Sequence, residues 1–321
     1  MIPALVLTAG LATRLRPLSL VRAKAAMPVA GEPLVRRVLR HLRAEGVAEA
    51  VLNLHHLPHT ITGLVGDGSD IGLRVRYSWE VPILGSAGGP RLALPIVGAE
   101  TFLIANGDTL TSVDVAALVA EHRRTGALVT MAVAHEGERE TPAWRARYGG
   151  VLADDSGAVT GFAKRGFAGP ARHFVGVQAV EAEAFASLGP GIAAESVAGL
   201  YPNLIRSRPG SVRVHACTTE FFDIGTPADY LQTSLHLAAR EGSDALLGAR
   251  VRVAPGARVE SCIVWDDVEI GEGAALRECI VADGVRVPPA SSWTGVTLRQ
   301  AADELAAGER HVGDLAVSPI A

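Results

Sequence analysis

From residue 253 onward the chain repeats itself every 17 residues, a regularity that few folds can use. Val253-Ala254-Pro255-Gly256-Ala257, Ile270-Gly271-Glu272-Gly273-Ala274 and Val287-Pro288-Pro289-Ala290-Ser291 are in phase, as are Val259, Leu276 and Trp293. Cys262-Ile263-Val264 and Cys279-Ile280-Val281 keep the same offset. Apolar residues at roughly six-residue steps, with small residues between them, suit a parallel β-helix whose coils stack like on like. The short period predicts a triangular coil with one trimmed corner. The two cysteines then stack as small buried apolar residues, not as a redox pair.

The N-terminus carries a different signal. Ala4-Leu5-Val6-Leu7 is a short continuous apolar run closed by a glycine, the pattern of a strand buried on both faces of a parallel sheet. Gly10 then allows a tight turn whose amides can face an anion. Arg14, Arg16, Arg22 and Lys24 follow closely. That is more positive charge than a structural loop needs, and a polyphosphate is its natural partner. Of the 30 Lys and Arg residues only Lys24 and Lys164 are lysine. A lysine at position 24 suits a compact ammonium held between phosphate oxygens, where a planar guanidinium would need more room.

Between these ends, strands and helices alternate. Pro33 to Glu45 places Leu34, Val35, Val38, Leu39 and Leu42 on one helical face. Ala50 to Leu54, Leu73 to Tyr77, Phe102 to Ala105 and Leu128 to Val133 read as strands, with helices near Thr60 to Leu64 and Val113 to Arg124. The alternation predicts an α/β fold with a doubly wound, mainly parallel sheet. Ligands of such sheets bind beyond the carboxyl ends of the strands, where Gly10 and Asp108 fall. His55, His56 and His59 have no carboxylate or cysteine nearby to complete a ligand set and read as polar loop and helix-start residues.

Composition narrows the function classes. A hydrophobic content of 48% over 321 residues argues against disorder and allows a large domain plus a smaller module. The net charge of −4 argues against nucleic-acid and anionic-membrane partners, so the cation cluster reads as a site. Cys217, Cys262 and Cys279 make no disulfide framework and fit a reducing cytoplasm. No apolar run is long enough to cross a membrane, and the N-terminus lacks the basic start of a signal peptide.

Residues 7–28 resemble the signature of the sugar-1-phosphate nucleotidyltransferases, approximately G-x-G-T-R-L-x-P-L-T followed by P-K-x-x-x-P. Gly10, Thr13, Arg14, Leu15, Pro17, Leu18, Lys24 and Pro28 match it. Ala12 stands where a second glycine is usual, and Ala23 replaces the proline before the lysine. The resemblance implies that Ala9, Gly10, Leu11, Ala12, Thr13 and Arg14 bind the nucleotide, with the Gly10 loop and Arg14 on the β and γ phosphates. It implies that Lys24 lies between the α-phosphate and the attacking phosphate. Ala105-Asn106-Gly107-Asp108, after an apolar strand, is similar to the family's G-D motif, and Phe221-Phe222-Asp223-Ile224-Gly225-Thr226-Pro227 to its W-x-D-I-G-T-P motif. Asp108 and Asp223 are thereby implied as the carboxylates that hold Mg²⁺. Gly85, Ser86 and Gly88 sit in a segment similar to the G-T-A-G loop that contacts the nucleobase.

Sugar recognition is less regular. Tyr148-Gly149-Gly150-Val151 resembles the Y-G-V turn near the sugar, which puts Gly150 in the sugar-phosphate site. Lys164 and Arg165 occupy the place of an E-K pair, so a hydroxyl acceptor has become a donor. His173-Phe174-Val175-Gly176 replaces N-A-G-I, and Glu195 is a candidate to recover a hydroxyl contact. Left-handed β-helices follow the catalytic domain in several branches of the family, some with acyltransferase activity. Here residues 245–295 contain no histidine to serve as general base, so packing or oligomer assembly is the expected role.

The expected organisation is a catalytic domain over 1–240, a left-handed β-helix over 245–295, and a helix and tail over 296–321. The expected activity joins a nucleoside triphosphate to a sugar 1-phosphate with release of pyrophosphate, as a cytoplasmic homo-oligomer without nucleic-acid or membrane partners. The β-helix and the DIGTP motif look most like the mannose-1-phosphate guanylyltransferase branch. Two alternatives stay open: a uridylyltransferase acting on N-acetylmuramic acid 1-phosphate or another hexose 1-phosphate, and a catalytically silent regulatory subunit that binds a nucleotide sugar.

Overall fold

A computed structural model describes residues 2–135, 141–242 and 246–320. Ala245, the first residue of the expected repeat region, lies outside them. The chain forms two compact units that interleave along the sequence: residues 1–10 with 35–222, and residues 11–34 with 223–321.

The first unit is built on a seven-stranded sheet in the order Val212–Cys217, Val129–Ala134, Phe174–Glu181, Thr101–Asn106, Ala4–Leu7, Glu49–Leu54 and Arg74–Trp79. All neighbours are parallel except Phe174–Glu181, which runs antiparallel to both strands beside it. A strand buried on both faces reads as the same apolar run in either direction, so this reversal left no mark in the residue pattern. Helices Leu34–Ala44, Pro58–Val65 and Val115–Thr125 fall between the strands as the alternation predicts, and Gly85–Val97 adds a helix where a loop was expected. Asp114 caps Val115–Thr125 by accepting from Ala117 N at 2.8 Å, and Gly126 ends it at φ 62°. One core gathers Leu5, Val51, Phe102, Ile104 and Met131 under Ala87, Ala93 and Val97 of the Gly85–Val97 helix. The Leu, Val, Ile, Phe and Met side chains each contribute about 1.5–3 kcal/mol when fully buried.

The second unit joins the segment after Gly10 to the helix Pro227–Glu241 and the repeats. Thr226 opens that helix with a reciprocal capping box: its hydroxyl accepts from Asp229 N while the Asp229 carboxylate accepts from Thr226 N. The repeats form short parallel strands on three faces, in the 17-residue register expected. Val253 pairs with Ile270 and then Val287, Val259 with Leu276 and then Trp293, and Ile263 with Ile280 and then Thr297. This is the parallel β-helix anticipated from the repeat, of the left-handed kind that the family resemblance implies. Cys262 and Cys279 are buried and free, with Cys279 N 3.3 Å from Cys262 Sγ. The neighbouring Cys279 thiol and burial push the Cys262 thiol upward.

The helix expected in 296–321 is not formed among the described residues 296–320. Val296–Gln300 is the third coil's strand, and Leu315–Pro319 returns antiparallel to it, with Arg310–Val312 outermost. Thr297, Leu298, Ala316 and Val317 are buried in that sheet, an environment that favours extended chain. Arg299 and Glu309 lock the hairpin, with contacts of 2.6 and 2.5 Å, the carboxylate fully buried.

Candidate active site

In the first unit, the strand Ala4–Leu7 lies between Glu49–Leu54 and Thr101–Asn106, with Leu7 opposite both Asn53 and Asn106. Ala9, Gly10 and Asp108 therefore leave the sheet at one end, the carboxyl end. Thr8 N donates to Asn53 Oδ1 at 2.6 Å, and the Thr8 hydroxyl donates to Asn53 O. Gly107 N donates to Leu7 O at 2.9 Å, and a Cβ on Gly107 would stand 2.5 Å from Thr8 Cγ2, so the approach demands glycine. Gly10 is open, with no heavy atom within 4 Å of where its Cβ would be. Asp108 is half-buried, with the Thr109 hydroxyl 3.3 Å from its carboxylate.

Two residues that the sequence reading missed tie this end to the next element. Asn53 Nδ2 donates to Glu80 Oε1 at 2.7 Å, and Leu84 N donates to Glu80 Oε2 at 2.8 Å, with both side chains buried. A hydrogen-bonded path thus runs from Thr8 to the start of the Gly85–Val97 helix. The available signals were a polar residue near the end of an apolar strand and a glutamate directly after the following strand.

Gly85, Ser86 and Gly88, expected in a loop, form the first turn of that helix. Ala87 N and Gly88 N both donate to Ala194 O, at 2.9 and 3.1 Å. Ser86 donates to Glu195 Oε2 from its hydroxyl at 2.5 Å and from its backbone N at 3.3 Å, and Ser86 Oγ accepts from Ser196 N at 2.9 Å. The Glu195 charge thus lies at a helix N-terminus, where the dipole favours it. A Cβ on Gly85, at φ +77°, would stand 2.5 Å from Glu195 Oε1. The structure therefore groups Glu195 with the expected nucleobase residues and not with the expected sugar residues.

Gly150 and Lys164 do come together. Gly150 pairs with Ala163 across the strands Gly150–Ala153 and Val159–Ala163, and Lys164 follows directly. Trp144, Tyr148, Gly149, Gly150, Lys164 and His173 line one concavity. Its aromatic wall is tight, with centroids 4.5 Å apart for Trp144 and Tyr148 and 4.8 Å for Trp144 and His173, and Phe221 packs behind His173 at 4.5 Å. Arg165 is exposed and does not line it.

The second unit contains Leu11, Ala12, Thr13, Arg14, Lys24 and Asp223. Leu11, Thr13 and Arg14 are exposed. Ala12 sits at φ 47°, ψ 46°, the left-handed conformation that explains why glycine is usual there. Ala23 holds φ −56°, within the range of the proline it replaces. Lys24 is 9% exposed, and its Nζ lies 3.6 Å from Asp223 Oδ1. Arg14 Nη1, Asp223 Oδ2 and Asp229 Oδ2 crowd Gly225, whose Cβ would stand 3.3, 3.2 and 3.1 Å from them. Arg22 of the cation cluster is held by the repeats. Its guanidinium is taken by Asp266 and Asp283 of the β-helix, so it is not a phosphate ligand, and the β-helix is more than a passive appendage.

Comparison with known proteins agrees with this frame. The family described as nucleotidyl transferase matches residues 3–165, and the GlmU-like C-terminal hexapeptide family matches residues 237–309. The chain belongs to the nucleotidyl transferase family. It is an enzyme of the sugar-1-phosphate nucleotidyltransferase type, whose substrates are a nucleoside triphosphate and a sugar 1-phosphate. Among its relatives is a mannose-1-phosphate guanylyltransferase of Mycobacterium tuberculosis, 25% identical over 84% of this chain and 81% of the relative. An N-acetylmuramate alpha-1-phosphate uridylyltransferase of Neisseria meningitidis is 41% identical over 35% of this chain and 48% of its own length. In fold, the chain resembles the crystal structure of HddC from Yersinia pseudotuberculosis complexed with GMP-PN. The TM-score is 0.63 at 21% identity, over 74% of this chain and all of that one. Among the described residues no helix is long and apolar enough to cross a membrane.

Proposed function

We propose that this enzyme makes GDP-mannose and pyrophosphate from GTP and mannose 1-phosphate, with Mg²⁺, in the cytoplasm. The observation that carries the chemistry is the pair of buried Lys24 with half-buried Asp223, 3.6 Å apart, with Arg14 beside Gly225. In nucleotidyl transfer the sugar-phosphate oxygen attacks the α-phosphorus in line and pyrophosphate leaves, so catalysis is mostly positioning and neutralisation of charge. The Gly10 loop and Arg14 are assigned to the β and γ phosphates, and Lys24 to the α-phosphate and the incoming phosphate. Asp108 and Asp223 keep the metal assignment made from their motifs. As hard oxygen donors they suit Mg²⁺, which commonly takes one or two carboxylates and completes its shell with phosphate and water. Bound there, Mg²⁺ would stabilise charge developing on the phosphate oxygens.

The choice of GTP and mannose 1-phosphate rests on a guanylyltransferase relative that spans both parts of the chain. Catalysis is assigned to 1–240, and homo-oligomer assembly to the β-helix. A second reading has its own support: Lys164 lines the aromatic concavity, where it could pair with the lactyl carboxylate of N-acetylmuramic acid 1-phosphate. Pyrophosphate release over a panel of triphosphates and sugar 1-phosphates decides between them. Preference for GTP with mannose 1-phosphate is expected, preference for UTP with the acidic amino sugar overturns it, and turnover of any pair removes the silent-subunit reading.

A further inference from the structure

Within the second unit, the short segment that carries Lys24 is gripped at one end by the β-helix and at the other by Tyr230 of the Pro227–Glu241 helix, which Trp265 of the β-helix holds in turn. At one end, Arg22 Nε and Nη2 donate to the two oxygens of Asp283 at 2.7 and 2.6 Å. The same Nη2 donates to Asp266 Oδ2 at 2.7 Å, and the guanidinium lies over the Trp265 ring, 5.1 Å from its centroid. Asp266 and Asp283 occupy one position in successive coils, and Asp266 N donates to Asp283 Oδ1 at 3.0 Å. Two carboxylates stacked at coil spacing repel each other, and the planar fork of one arginine satisfies both.

At the other end, the Tyr230 hydroxyl donates to Pro28 O at 2.5 Å and accepts from Trp265 Nε1 at 3.0 Å. Tyr230 and Trp265 have no exposed surface, and burial pushes the Tyr230 phenol upward, so it stays a donor. Between the two grips lie the single turn Lys24–Ala26 and the buried residues Ala23, Ala25, Ala26 and Met27. Lys24 stands two residues from Arg22, on a stretch whose ends both lead to Trp265.

We propose that Arg22, Asp266 and Asp283 are positioning residues that set Lys24 in place, which makes the β-helix part of the catalytic apparatus. The proposal rests on the nucleotidyltransferase reading of Lys24. It adds a catalytic role to the packing or oligomer assembly expected of the repeats.

The test uses the full chain with Arg22→Met, Arg22→Lys and Asp283→Asn. Pyrophosphate release should show kcat lowered about 10- to 100-fold in Arg22→Met and Asp283→Asn, the scale of a misplacement near 1 Å, with KM for the triphosphate within about threefold. Arg22→Lys should restore part of the loss. Lys24 and Lys164 are the only lysines, so acetylation followed by mass spectrometry gives a readout independent of turnover. Lys24 should be protected in the native chain and label faster, relative to exposed Lys164, in both variants.

An unchanged labelling ratio overturns the clamp. A raised ratio with kcat within about twofold of the parent overturns its catalytic consequence. If the parent turns over no substrate pair, the functional reading fails while labelling still decides the clamp. Should Arg22→Met not fold, the isosteric Asp283→Asn decides.

Discussion

Replacing Ala12 by glycine should stabilise the protein, although it removes a methyl group and loosens the unfolded chain. Ala12 sits at φ 47°, ψ 46° and its carbonyl accepts from Leu15 N at 2.9 Å, so the left-handed backbone is fixed by the turn that follows. An L-residue in that region costs about 1–2 kcal/mol through the clash of Cβ with the following carbonyl, a cost that glycine avoids. Against this, glycine gives the unfolded chain about 0.5–1 kcal/mol of extra conformational freedom. The clash is the larger effect, and the net gain is about 0.5–1 kcal/mol, or about 1–4 °C in Tm. Thermal unfolding of the two chains, followed by far-UV circular dichroism in one buffer, measures it. An unchanged or lower Tm for Ala12→Gly would refute the reasoning, because the strain assigned to Ala12 would then be absent.

Asp108→Ala and Asp223→Ala should each lower turnover by orders of magnitude with the fold intact, by loss of a metal carboxylate; a near-parental rate for Asp223→Ala at saturating Mg²⁺ would contradict its assignment. Lys24→Arg should be impaired despite its retained charge, since a longer planar group must enter a site that is 9% exposed, and full activity would count against tight phosphate contact. Burial, opposed by Glu181, holds the His122 imidazole below its ordinary value, so the unfolded chain takes up that proton first and stability should fall as the pH drops through about 6.5. His122→Gln should flatten this slope in urea titrations between about pH 7 and 5, and an unaltered slope would place its origin elsewhere.

The parts of the molecule that could be read from the sequence are those in which one residue pattern has one structural meaning. A 17-residue period admits stacked coils in a single register, and Val259, Leu276 and Trp293 are found neighbours in space. The strand Ala4–Leu7 and the turn after it carry their own punctuation. Other features depend on partners far along the chain. Arg22 reads as one more cation until Asp266 and Asp283 are seen beside it, 244 and 261 residues away. Glu195 belongs to Ser86, 109 residues earlier, a pairing that no local signal announces. The strand Phe174–Glu181 is recognisable as apolar, but its direction is set by the sheet around it.

The antiparallel strands Arg310–Val312 and Leu315–Pro319 have a consequence for how long the coil stack can grow. Each coil of a β-helix offers its free backbone groups as a template for the next, and an exposed last coil is an invitation to another chain. Leu315–Pro319 takes up those groups on Val296–Gln300 in the opposite direction, and the buried Arg299–Glu309 pair holds it there. A further coil in the parallel register has nothing to copy on that face. Residues 310–319 thus act as a terminator on that face, and deleting them should convert a finite stack into one prone to end-to-end fibre growth.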